Sequence, residues 1–202
     1  MFTGIIEEIG HVRHCREAGA GFELAIDAEV VLEGTRLGDS IAVNGVCLTV
    51  TALDDTGFVT GLAPETRART NLDALAPGAR VNLERSVTPS TRMGGHFVQG
   101  HVDGTGRIVD FRPDADALWV TVEAPAALMR YVVPKGYVAL DGTSLTVVDV
   151  TATTFSVTLV AYTQAHIVLP SRAVGDALNI EVDVLGKYVE RLLAHRGAGA
   201  AS

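Results

Sequence analysis

Two eleven-residue stretches of the chain can be laid over each other at a spacing of 97 positions. Ser40–Val50 reads SIAVNGVCLTV, and Tyr137–Val147 reads YVALDGTSLTV. Each contains a dipeptide, Asn44-Gly45 or Asp141-Gly142, in which both residues tolerate a positive φ. Such a dipeptide between two apolar segments is typical of a two-residue turn, so each stretch predicts a β-hairpin.

The same offset relates other parts of the two halves, which chance similarity between β-rich segments would not do. It aligns Phe58 with Phe155, Leu62 with Leu159, Thr66 with Thr163, Gly78 with Gly175 and Val81–Glu84 with Leu178–Glu181. Near the N-terminus an offset of 96 aligns Gly4 with Gly100. The sequence therefore predicts two similar domains, residues 1–97 and 98–185, followed by a helix and tail at residues 186–202.

Each half also shows the pattern of short strands. Phe22–Ile26 and Leu118–Val122 alternate large apolar with small or polar residues, which is typical of half-buried strands. Phe58–Leu62 and Phe155–Val160 predict further strands. Several short strands separated by turn residues indicate an all-β fold, either a sandwich or a small closed barrel. Closure is favoured because it leaves no open sheet edge.

The last part of the sequence follows a different pattern. Between residues 184 and 193, apolar residues recur at helical spacing on one face: Leu185, Tyr188, Val189, Leu192 and Leu193. The sequence therefore predicts a C-terminal α-helix that has no counterpart in the first half. Its apolar face either covers the second domain or forms a contact between subunits, and the sequence leaves both interpretations open.

Composition restricts the function. The chain has 202 residues, of which 48% are hydrophobic and 20% charged, so it can bury a core and is not disordered. Its net charge of -8 attracts neither nucleic acid nor an anionic membrane, and we expect neither as a partner. The first residues lack the segments of a signal peptide, and no apolar run approaches the roughly 20 residues that span a bilayer. We therefore expect a cytoplasmic protein.

Cysteines and histidines do not indicate a metal site. The two cysteines, Cys15 and Cys47, do not form a CxxC motif, and His96 and His101 are five positions apart. That spacing suits neither one face of a helix nor one face of a strand. We expect no metal ion, and Cys15, in a polar stretch, has no predicted role.

The two halves share residues that suit one ligand shape but differ in reactive groups. Both have Leu-Thr-Val after the turn, and a threonine hydroxyl can bond to a polar heterocycle, although threonine is also a common strand residue. The differences are Cys47 opposite Ser144, Ile5 opposite His101, and Ser86 opposite Asp183. A thiol in one half, and a hydroxyl, imidazole and carboxylate in the other, indicate addition and proton transfer at non-equivalent sites. The alternative for Cys47 is a small buried side chain.

Seven stretches together carry a family resemblance. They are Met1–Ile5, Ser40–Val50, Asn82–Arg85, Gly94–Asp103, Lys135–Gly136, Asp141–Val147 and Asn179–Asp183. Over residues 1–195 the chain resembles riboflavin synthase of the alpha-chain type, a family with two lumazine-binding repeats. The combination of stretches is specific, although no single one is.

The resemblance implies a fold and a reaction. The fold is two six-stranded Greek-key barrels with a C-terminal helix, assembled as a homotrimer whose active site lies between the first barrel of one subunit and the second barrel of a neighbour. The reaction converts two molecules of 6,7-dimethyl-8-ribityllumazine into riboflavin and 5-amino-6-ribitylamino-uracil, the last step of riboflavin biosynthesis. No metal or organic cofactor is expected. An association with lumazine synthase is a further expectation.

The resemblance also implies which residues form the site. The expected catalytic residues are Cys47, His101, Ser144, Asp183, His96 and Thr146. The expected lumazine contacts are Gly4, Ile5, Ile6, Cys47, Leu48, Thr49, Gly61, Leu62, Ala63, Pro64, Glu65 and Thr66 in the first half, and Gly100, His101, Val102, Lys135, Ser144, Leu145, Thr146, Thr158, Leu159, Val160, Ala161, Tyr162 and Thr163 in the second. Ser144 and Asp183 are expected to pair as a proton acceptor, and Cys47 to assist addition in the other pocket.

One stretch departs from the family pattern. Ala161–Val168 keeps Thr163 but lacks the proline and the later threonines that the family has there, whereas the first half keeps Pro64. The departure concerns the wall of the second pocket near the ribityl chain. Tyr162 either stacks on the ligand or narrows this pocket, or the change is neutral.

Three other functions compete with the enzyme. A non-catalytic lumazine- or flavin-binding antenna protein keeps polar groups in one barrel only, whereas both halves keep theirs here. A structural or transport barrel predicts no change in lumazine fluorescence. A flavin-dependent oxidoreductase is disfavoured because no dinucleotide-binding fingerprint follows a strand.

Overall fold

The computed structural model describes residues 1–19 and 21–199, and its first half is a closed antiparallel barrel. Six strands form this barrel: β1 (Glu8–Ala18), β2 (Gly21–Asp27), β3 (Ser40–Val43), β4 (Val46–Asp54), β5 (Gly57–Leu62) and β6 (Arg80–Arg85). They are arranged in the order β1-β2-β5-β4-β3-β6, and β6 closes the barrel by pairing with β1.

The second half repeats this barrel. Its strands are β7 (Gly104–Asp114), β8 (Ala117–Glu123), β9 (Tyr137–Leu140), β10 (Thr143–Val150), β11 (Thr154–Leu159) and β12 (Ala177–Val182). In each barrel three consecutive strands are followed by one that returns beside the first of them, β6 beside β3 and β12 beside β9. This is Greek-key topology, so the predicted fold class is confirmed.

Each barrel encloses its own apolar core. Phe58 and Phe155, which the repeat aligns, are at most 1% exposed and lie in separate clusters of buried side chains. Because alternate residues of each strand fill these cores, the residues between them face outward. The outward rows carry Cys47, Ser144 and Thr146 of the predicted site, whereas His96, His101 and Asp183 lie outside the strands.

Helices occur between the strands and at the end of the chain. They are α1 (Pro64–Arg69), α2 (Ala126–Met129), α3 (Ala161–His166) and α4 (Val184–Gly199), with short 3-10 turns at Val30–Leu32, Asn71–Ala74 and Leu169–Ser171. Helix α4 is the predicted C-terminal helix. None of the described helices combines the length and the apolar character that crossing a membrane requires.

Helix α4 is attached to the second barrel by polar contacts. Lys187 Nζ lies 2.7 Å from Asp103 Oδ1, and Glu190 bonds to both Arg130 and Tyr131. The predicted apolar face is more than half exposed at every position: Leu185, Tyr188, Val189, Leu192 and Leu193. The interpretation of this face as a cover over the second barrel is therefore wrong, and a contact between subunits stays a prediction.

The two hairpin turns meet between the barrels. Asn44 and Gly45 have φ angles of 43° and 76°, and Asp141 and Gly142 have 41° and 81°, so both turns have the predicted conformation. The backbones touch: a Cβ atom at Gly45 would lie 2.5 Å from the backbone nitrogen of Gly142. Glycine is required here both for its positive φ and for this close approach.

A buried hydrogen-bond network surrounds the touching turns. Asn71 Nδ2 donates to Asp141 Oδ1 at 2.9 Å, and Asn71 N donates to Asn179 Oδ1 at 2.7 Å. Asn82 Nδ2 donates to Asp141 O at 2.9 Å, and Asn179 Nδ2 donates to Asn44 O at 2.8 Å. These bonds join residues of one barrel to residues of the other. They satisfy buried polar groups and fix the orientation of the two barrels.

The network is not symmetric in charge. The repeat aligns Asp141 with Asn44 and Arg172 with Leu75. Asp141 is fully buried, and Arg172 Nη2 lies 3.4 Å from its Oδ2 atom. Burial raises the pKa of the Asp141 carboxyl to about 6, while the positive charge of Arg172 acts in the opposite direction. The second turn therefore carries a titratable group that the first lacks.

Candidate functional site

Two segments outside the barrel strands pair with each other between the barrels. We call Met1–Ile5 the N-terminal strap and Phe97–His101 the central strap. Phe2 N donates to Val98 O at 2.7 Å, and Val98 N donates to Phe2 O at 3.2 Å. Phe2 and Val98 are at most 1% exposed, so this pairing belongs to the interior of the molecule.

Each strap contacts the barrel that the other half of the chain forms. Ser144 N donates to Gly4 O at 2.8 Å, and Cys47 N donates to Gly100 O at 2.9 Å. Both glycines have a φ of 77°, and an added Cβ atom would lie 2.5 Å from Ser144 Cβ or 2.6 Å from Cys47 Cβ, respectively. Only glycine fits such an approach. The N-terminal strap therefore reaches the second barrel at Ser144, and the central strap reaches the first barrel at Cys47.

This exchange corrects the grouping that the repeat predicted. The alignment assigned His101 to the half that contains Ser144, but the preceding residue, Gly100, contacts Cys47 of the first barrel. Ile5 likewise follows Gly4, which contacts Ser144 of the second barrel. A repeat offset identifies equivalent residues, but it does not tell which barrel each of them touches.

Ser144 contacts a buried imidazole. Its Oγ atom lies 2.7 Å from His96 Nδ1, and the His96 ring stacks on Tyr137 at 5.1 Å between centroids with 7° between planes. His96 is 7% exposed, and within the described residues its Nε2 atom has no hydrogen-bond partner. Burial lowers the pKa of His96, and the nearby Asp183 carboxylate opposes that shift. Burial thus favours the neutral imidazole, and a neutral ring can accept a hydrogen bond from the Ser144 hydroxyl.

Asp183 occupies the start of helix α4. Its Oδ1 atom accepts a hydrogen bond from Leu185 N at 3.0 Å. It also lines a groove of about 620 Å³ together with Tyr131, Tyr137 and other residues. Among the described residues the Ser144 hydroxyl bonds to His96 and not to Asp183, so the expected direct Ser144–Asp183 pair is not formed.

Cys47 has different surroundings. It is a half-buried free thiol on β4, and it packs beside Phe2 and Val98 of the straps. His101 N donates to Glu181 Oε2 at 2.9 Å, which holds the end of the central strap, and the His101 side chain is exposed. The first barrel thus presents a thiol without the buried imidazole that accompanies Ser144.

Outward-facing residues of three neighbouring strands form a platform on each barrel. The pairing of Ser40 with Thr49 and of Val50 with Thr60 puts Ser40, Thr49 and Gly61 side by side on the first barrel. The equivalent pairs on the second barrel put Tyr137, Thr146 and Thr158 side by side. An added Cβ atom at Gly61 would meet no atom within 4 Å, so there is free space at this position of the first platform. The side chain of Thr158 occupies the equivalent position of the second platform.

A six-residue helix follows each platform, α1 after β5 and α3 after β11. Thr66 in α1 and Thr163 in α3 are both half-buried, as the repeat predicts for equivalent residues. Helix α3 keeps the length of α1 although it lacks the proline. Tyr162 is 74% exposed and stacks on His166 at 4.1 Å between ring centroids. The departure from the family pattern thus replaces side chains on the helix without removing the helix.

The other predicted contact residues lie near these platforms but differ in what they can offer a ligand. On the strands, four leucines face the barrel cores, so only their backbones can reach a ligand: Leu48, Leu62, Leu145 and Leu159. Exposed or half-buried side chains lie at the ends of the straps or directly after them, and on the helices or directly before them: Ile5, Ile6, Val102, Ala63, Pro64, Glu65, Val160 and Ala161. Lys135 is exposed in a turn with a φ of 65°, and its N atom donates to Val147 O at 2.8 Å.

Sequence reasoning missed four residues of this region. Ser40 and Tyr137 belong to the platforms, and Glu84 and Glu181 hold the straps. The signal for the two glutamates was present, since the repeat aligns them within matching strand segments. In the part of the chain that the structure describes, no group of three or more His, Cys, Asp or Glu side chains is placed to hold a metal ion.

Comparison with known proteins identifies relatives over nearly the whole chain. A family model described as the lumazine binding domain matches residues 3–86 and 99–183. The chain is 48% identical to the riboflavin synthase of Schizosaccharomyces pombe, covering 96% of this chain and 94% of that protein. It is 47% identical to the riboflavin synthase of Mycobacterium tuberculosis, covering 98% and 100%, and 41% identical to that of Bacillus subtilis, covering 96% and 90%.

Solved structures with the same fold are also found. Crystal structures of LumP complexed with 6,7-dimethyl-8-(1'-D-ribityl) lumazine and with riboflavin match with TM-scores of 0.81 and 0.83. Both matches cover 90% of this chain and 99% of the LumP chain, at 20% sequence identity. At that identity the likeness shows a shared fold.

Proposed function

The chain belongs to the riboflavin synthase family, and from that premise we propose how its two barrels divide the reaction. The substrates are two molecules of 6,7-dimethyl-8-ribityllumazine. A four-carbon unit moves from one to the other, which gives riboflavin and 5-amino-6-ribitylamino-uracil. The unit lost by one molecule is the unit gained by the other, so the reaction balances without an external oxidant or reductant.

One observation supports this division most directly: two platforms of equivalent backbone carry unlike reactive groups. Ser40, Thr49 and Gly61 with the Cys47 thiol form one, and Tyr137, Thr146 and Thr158 with the Ser144 hydroxyl form the other. Equivalent backbones suit the same bicyclic ligand, because the polar edge of a heterocycle meets the same rows of backbone and hydroxyl groups. Unlike groups suit two ligands that must react differently.

The second barrel is proposed to handle the proton. The C7 methyl group of the substrate is acidic because its anion delocalises into the ring system, and one bound molecule must lose that proton. The neutral His96 can accept the Ser144 hydroxyl proton, which makes the Ser144 oxygen a better proton acceptor. Asp183 is proposed to act through its charge on His96. General acid–base catalysis of this kind typically contributes about 10²–10⁴-fold.

The first barrel is proposed to hold the molecule that is opened to attack. The Cys47 thiol is proposed to assist addition at C7, with the exposed His101 imidazole at the end of the central strap as a further polar group. Positioning two rings face to face can lower the barrier by roughly 7–11 kcal/mol, more than a single base supplies. Holding the pair is therefore the larger task of the protein.

We propose that the reacting pair is completed by a second subunit in a homotrimer. The exposed apolar face of α4 supports a subunit contact, since five large apolar side chains on one face are otherwise left in water. Exposed platform residues such as Thr49 and Thr146 support a site that another subunit covers. The proposed association with lumazine synthase and the cytoplasmic location rest on the family resemblance and on the sequence.

The test is direct. The purified protein is mixed with 6,7-dimethyl-8-ribityllumazine alone, without added metal or nucleotide, and the absorbance of riboflavin is followed. We expect riboflavin and 5-amino-6-ribitylamino-uracil in equal amounts. Absence of product, with a single lumazine bound per chain in a titration, would instead identify the non-catalytic binding protein. Two lumazines per chain are expected for the enzyme.

A further inference from the structure

We propose that Glu84 and Glu181 are positioning residues. Each of them binds one strap, and that strap forms a wall of the lumazine pocket on the opposite barrel. Glu84 of the first barrel controls the pocket beside Ser144, and Glu181 of the second barrel controls the pocket beside Cys47. The inference rests on the proposed function, because it assigns lumazine to both pockets.

Glu84 holds the N-terminal strap. Its Oε1 atom accepts hydrogen bonds from Thr3 N at 2.7 Å and from Thr3 Oγ1 at 2.9 Å, and its Oε2 atom accepts one from Gly4 N at 3.0 Å. The carboxylate is 4% exposed and lies on β6 of the first barrel. The Gly4 carbonyl accepts the bond from Ser144 N, so Gly4 connects Glu84 directly to the second pocket.

Glu181 holds the central strap in the same way. Its Oε1 atom accepts a hydrogen bond from Gln99 N at 2.6 Å, and its Oε2 atom accepts one from His101 N at 2.9 Å. The carboxylate is 3% exposed and lies on β12 of the second barrel. Gly100, between the two donors, accepts the bond from Cys47 N. The contact therefore again runs from one barrel to the pocket of the other.

A buried carboxylate at these positions lowers the stability of the folded protein, so we expect it to have a specific function. Burial raises the pKa of both glutamates, which means that the charged form is destabilised by its surroundings. Backbone donors from a strap partly offset that cost at each residue. A closed barrel does not need these charges, since its strands pair with one another. The recurrence of the same arrangement in both halves indicates a task that both pockets share.

Glutamine is the matched substitution. Glu84→Gln and Glu181→Gln keep the shape of the side chain but replace one acceptor oxygen by an NH₂ group, which faces a backbone N–H and cannot accept its hydrogen bond. Loss of one bond to a charged group corresponds to roughly a tenfold to hundredfold change in an equilibrium constant. We expect that change in lumazine affinity at the opposite pocket and little change at the pocket of the same barrel.

The experiment reads the two pockets separately. Titration calorimetry with 6,7-dimethyl-8-ribityllumazine counts the bound molecules, and protection of Cys47 from iodoacetamide, measured by mass spectrometry, reports occupancy of the first pocket. A Cys15→Ser background removes the other thiol. With Glu84→Gln we expect one of two sites to weaken while Cys47 stays protected. With Glu181→Gln we expect one site to weaken and Cys47 protection to be lost.

Other outcomes overturn the proposal. Loss of Cys47 protection in Glu84→Gln but not in Glu181→Gln would mean that each glutamate acts on its own barrel. Equal weakening of both sites in both variants would mean a general structural role. If the unchanged protein binds no lumazine, the proposed function itself fails, which is a separate result.

A milder pair of variants covers a failure to fold. Thr3→Val removes the side-chain bond to Glu84, together with the 3.3 Å bond that Thr3 Oγ1 accepts from Ile5 N, and leaves the carboxylate in place. Gln99→Val at the equivalent position of the central strap is its control. Gln99 bonds to Glu181 through its backbone N atom, so this substitution leaves the bond in place. We expect Thr3→Val to weaken the Ser144 pocket several-fold with an unchanged kcat, and Gln99→Val to have no such effect. Equal KM values in the two variants would contradict the proposal.

Discussion

The hairpin β3–β4 of the first barrel and the hairpin β9–β10 of the second have the same pairing register, the same turn conformation and the same contact with a strap glycine. Ser40 pairs with Thr49 in one, and Tyr137 pairs with Thr146 in the other. The groups beside the straps differ, since Cys47 is accompanied by apolar strap residues and Ser144 by a buried imidazole.

This difference teaches where a duplicated fold can change. Side chains that face the cores and the glycines of the turns set the shape of each barrel, and the repeat keeps them at Phe58 and Phe155 and at Gly45 and Gly142. The halves have diverged at outward positions such as Cys47 and Ser144 and at single strap positions such as Ile5 and His101. Two copies of one binding surface can thereby take different chemical roles at little cost in stability.

Among the variants considered, Ser144→Ala should have the largest effect on the difference between the two barrels. The variant loses the hydroxyl that bonds to His96, and we expect kcat for riboflavin formation to fall by about 10²–10⁴-fold. Cys47→Ser keeps a hydroxyl that can still add to the substrate and should lose less. Both variants are assayed with 6,7-dimethyl-8-ribityllumazine, with the thermal unfolding midpoint as a control for folding. Full turnover in both variants would contradict the division of roles.

Gly45→Ala should break the contact between the two hairpins. The new Cβ atom would lie 2.5 Å from Gly142 N, in a residue with a φ of 76°, and we expect a loss of roughly 2–5 kcal/mol in the free energy of unfolding. Gly78→Ala is the matched control, because its φ is 83° but no atom lies within 4 Å. It should lose only about 1–2 kcal/mol. Equal losses in urea unfolding would mean that the contact between turns contributes nothing.

Much of the fold could be predicted from the sequence because local patterns determined it. The dipeptides Asn44-Gly45 and Asp141-Gly142 predicted both turns, alternation predicted strands such as β2 and β8, and helical spacing predicted α4. These features depend on a few neighbouring residues. Closure of each sheet followed from the need to pair its edges.

The site could be predicted only as a set of residues. The sequence placed Ser144 and Cys47 at equivalent positions, but the exchange of straps depends on long-range contacts of Gly4 and Gly100 that no periodicity encodes. For the same reason the partner of Ser144 was expected to be Asp183, whereas the structure brings in His96 from the segment between the barrels. Spacing along the chain does not tell which of several polar residues a loop places beside Ser144.

Asp141 at the second turn should make the free energy of unfolding depend on pH. The first turn has Asn44 at this position, which does not titrate. The pKa of Asp141 is raised to about 6 in the folded protein, so its contribution to stability is complete below the ordinary pKa near 3.8 and is lost as pH rises through 6. The double variant Asp141→Asn with Arg172→Leu copies Asn44 and Leu75 of the first repeat.

Relative to the original protein, this double variant should gain stability as pH rises from 4 to 7, by up to about 3 kcal/mol. Urea unfolding of both proteins across this pH range measures the difference, and other carboxylates cancel because they are common to both. The single variant Asp141→Asn leaves Arg172 without its carboxylate partner and should be less stable than the double variant. A difference that does not vary with pH would contradict this assignment.

The smallest expected effect concerns the helices that follow the platforms. Glu65 and Arg69 form an ion pair in α1, and the repeat aligns them with Tyr162 and His166, which stack in α3. Both are pairs at positions i and i+4, worth about 0.2–0.5 kcal/mol. Replacing Tyr162→Glu together with His166→Arg should therefore leave the free energy of unfolding almost unchanged.

Lumazine binding should distinguish the three interpretations of Tyr162. If its ring narrows the second pocket, the exchange should strengthen lumazine binding there. If its ring stacks on the ligand, the exchange removes an aromatic contact worth about 0.5–1.5 kcal/mol, which is a weakening of roughly twofold to tenfold at the second pocket. The reverse exchange in α1, Glu65→Tyr with Arg69→His, is the control, and it should affect the first pocket only. Because Tyr162 is 74% exposed, its ring has the free surface that such stacking needs. Unchanged affinity in calorimetry would favour the neutral interpretation, in which α3 has exchanged one pair of surface side chains for another.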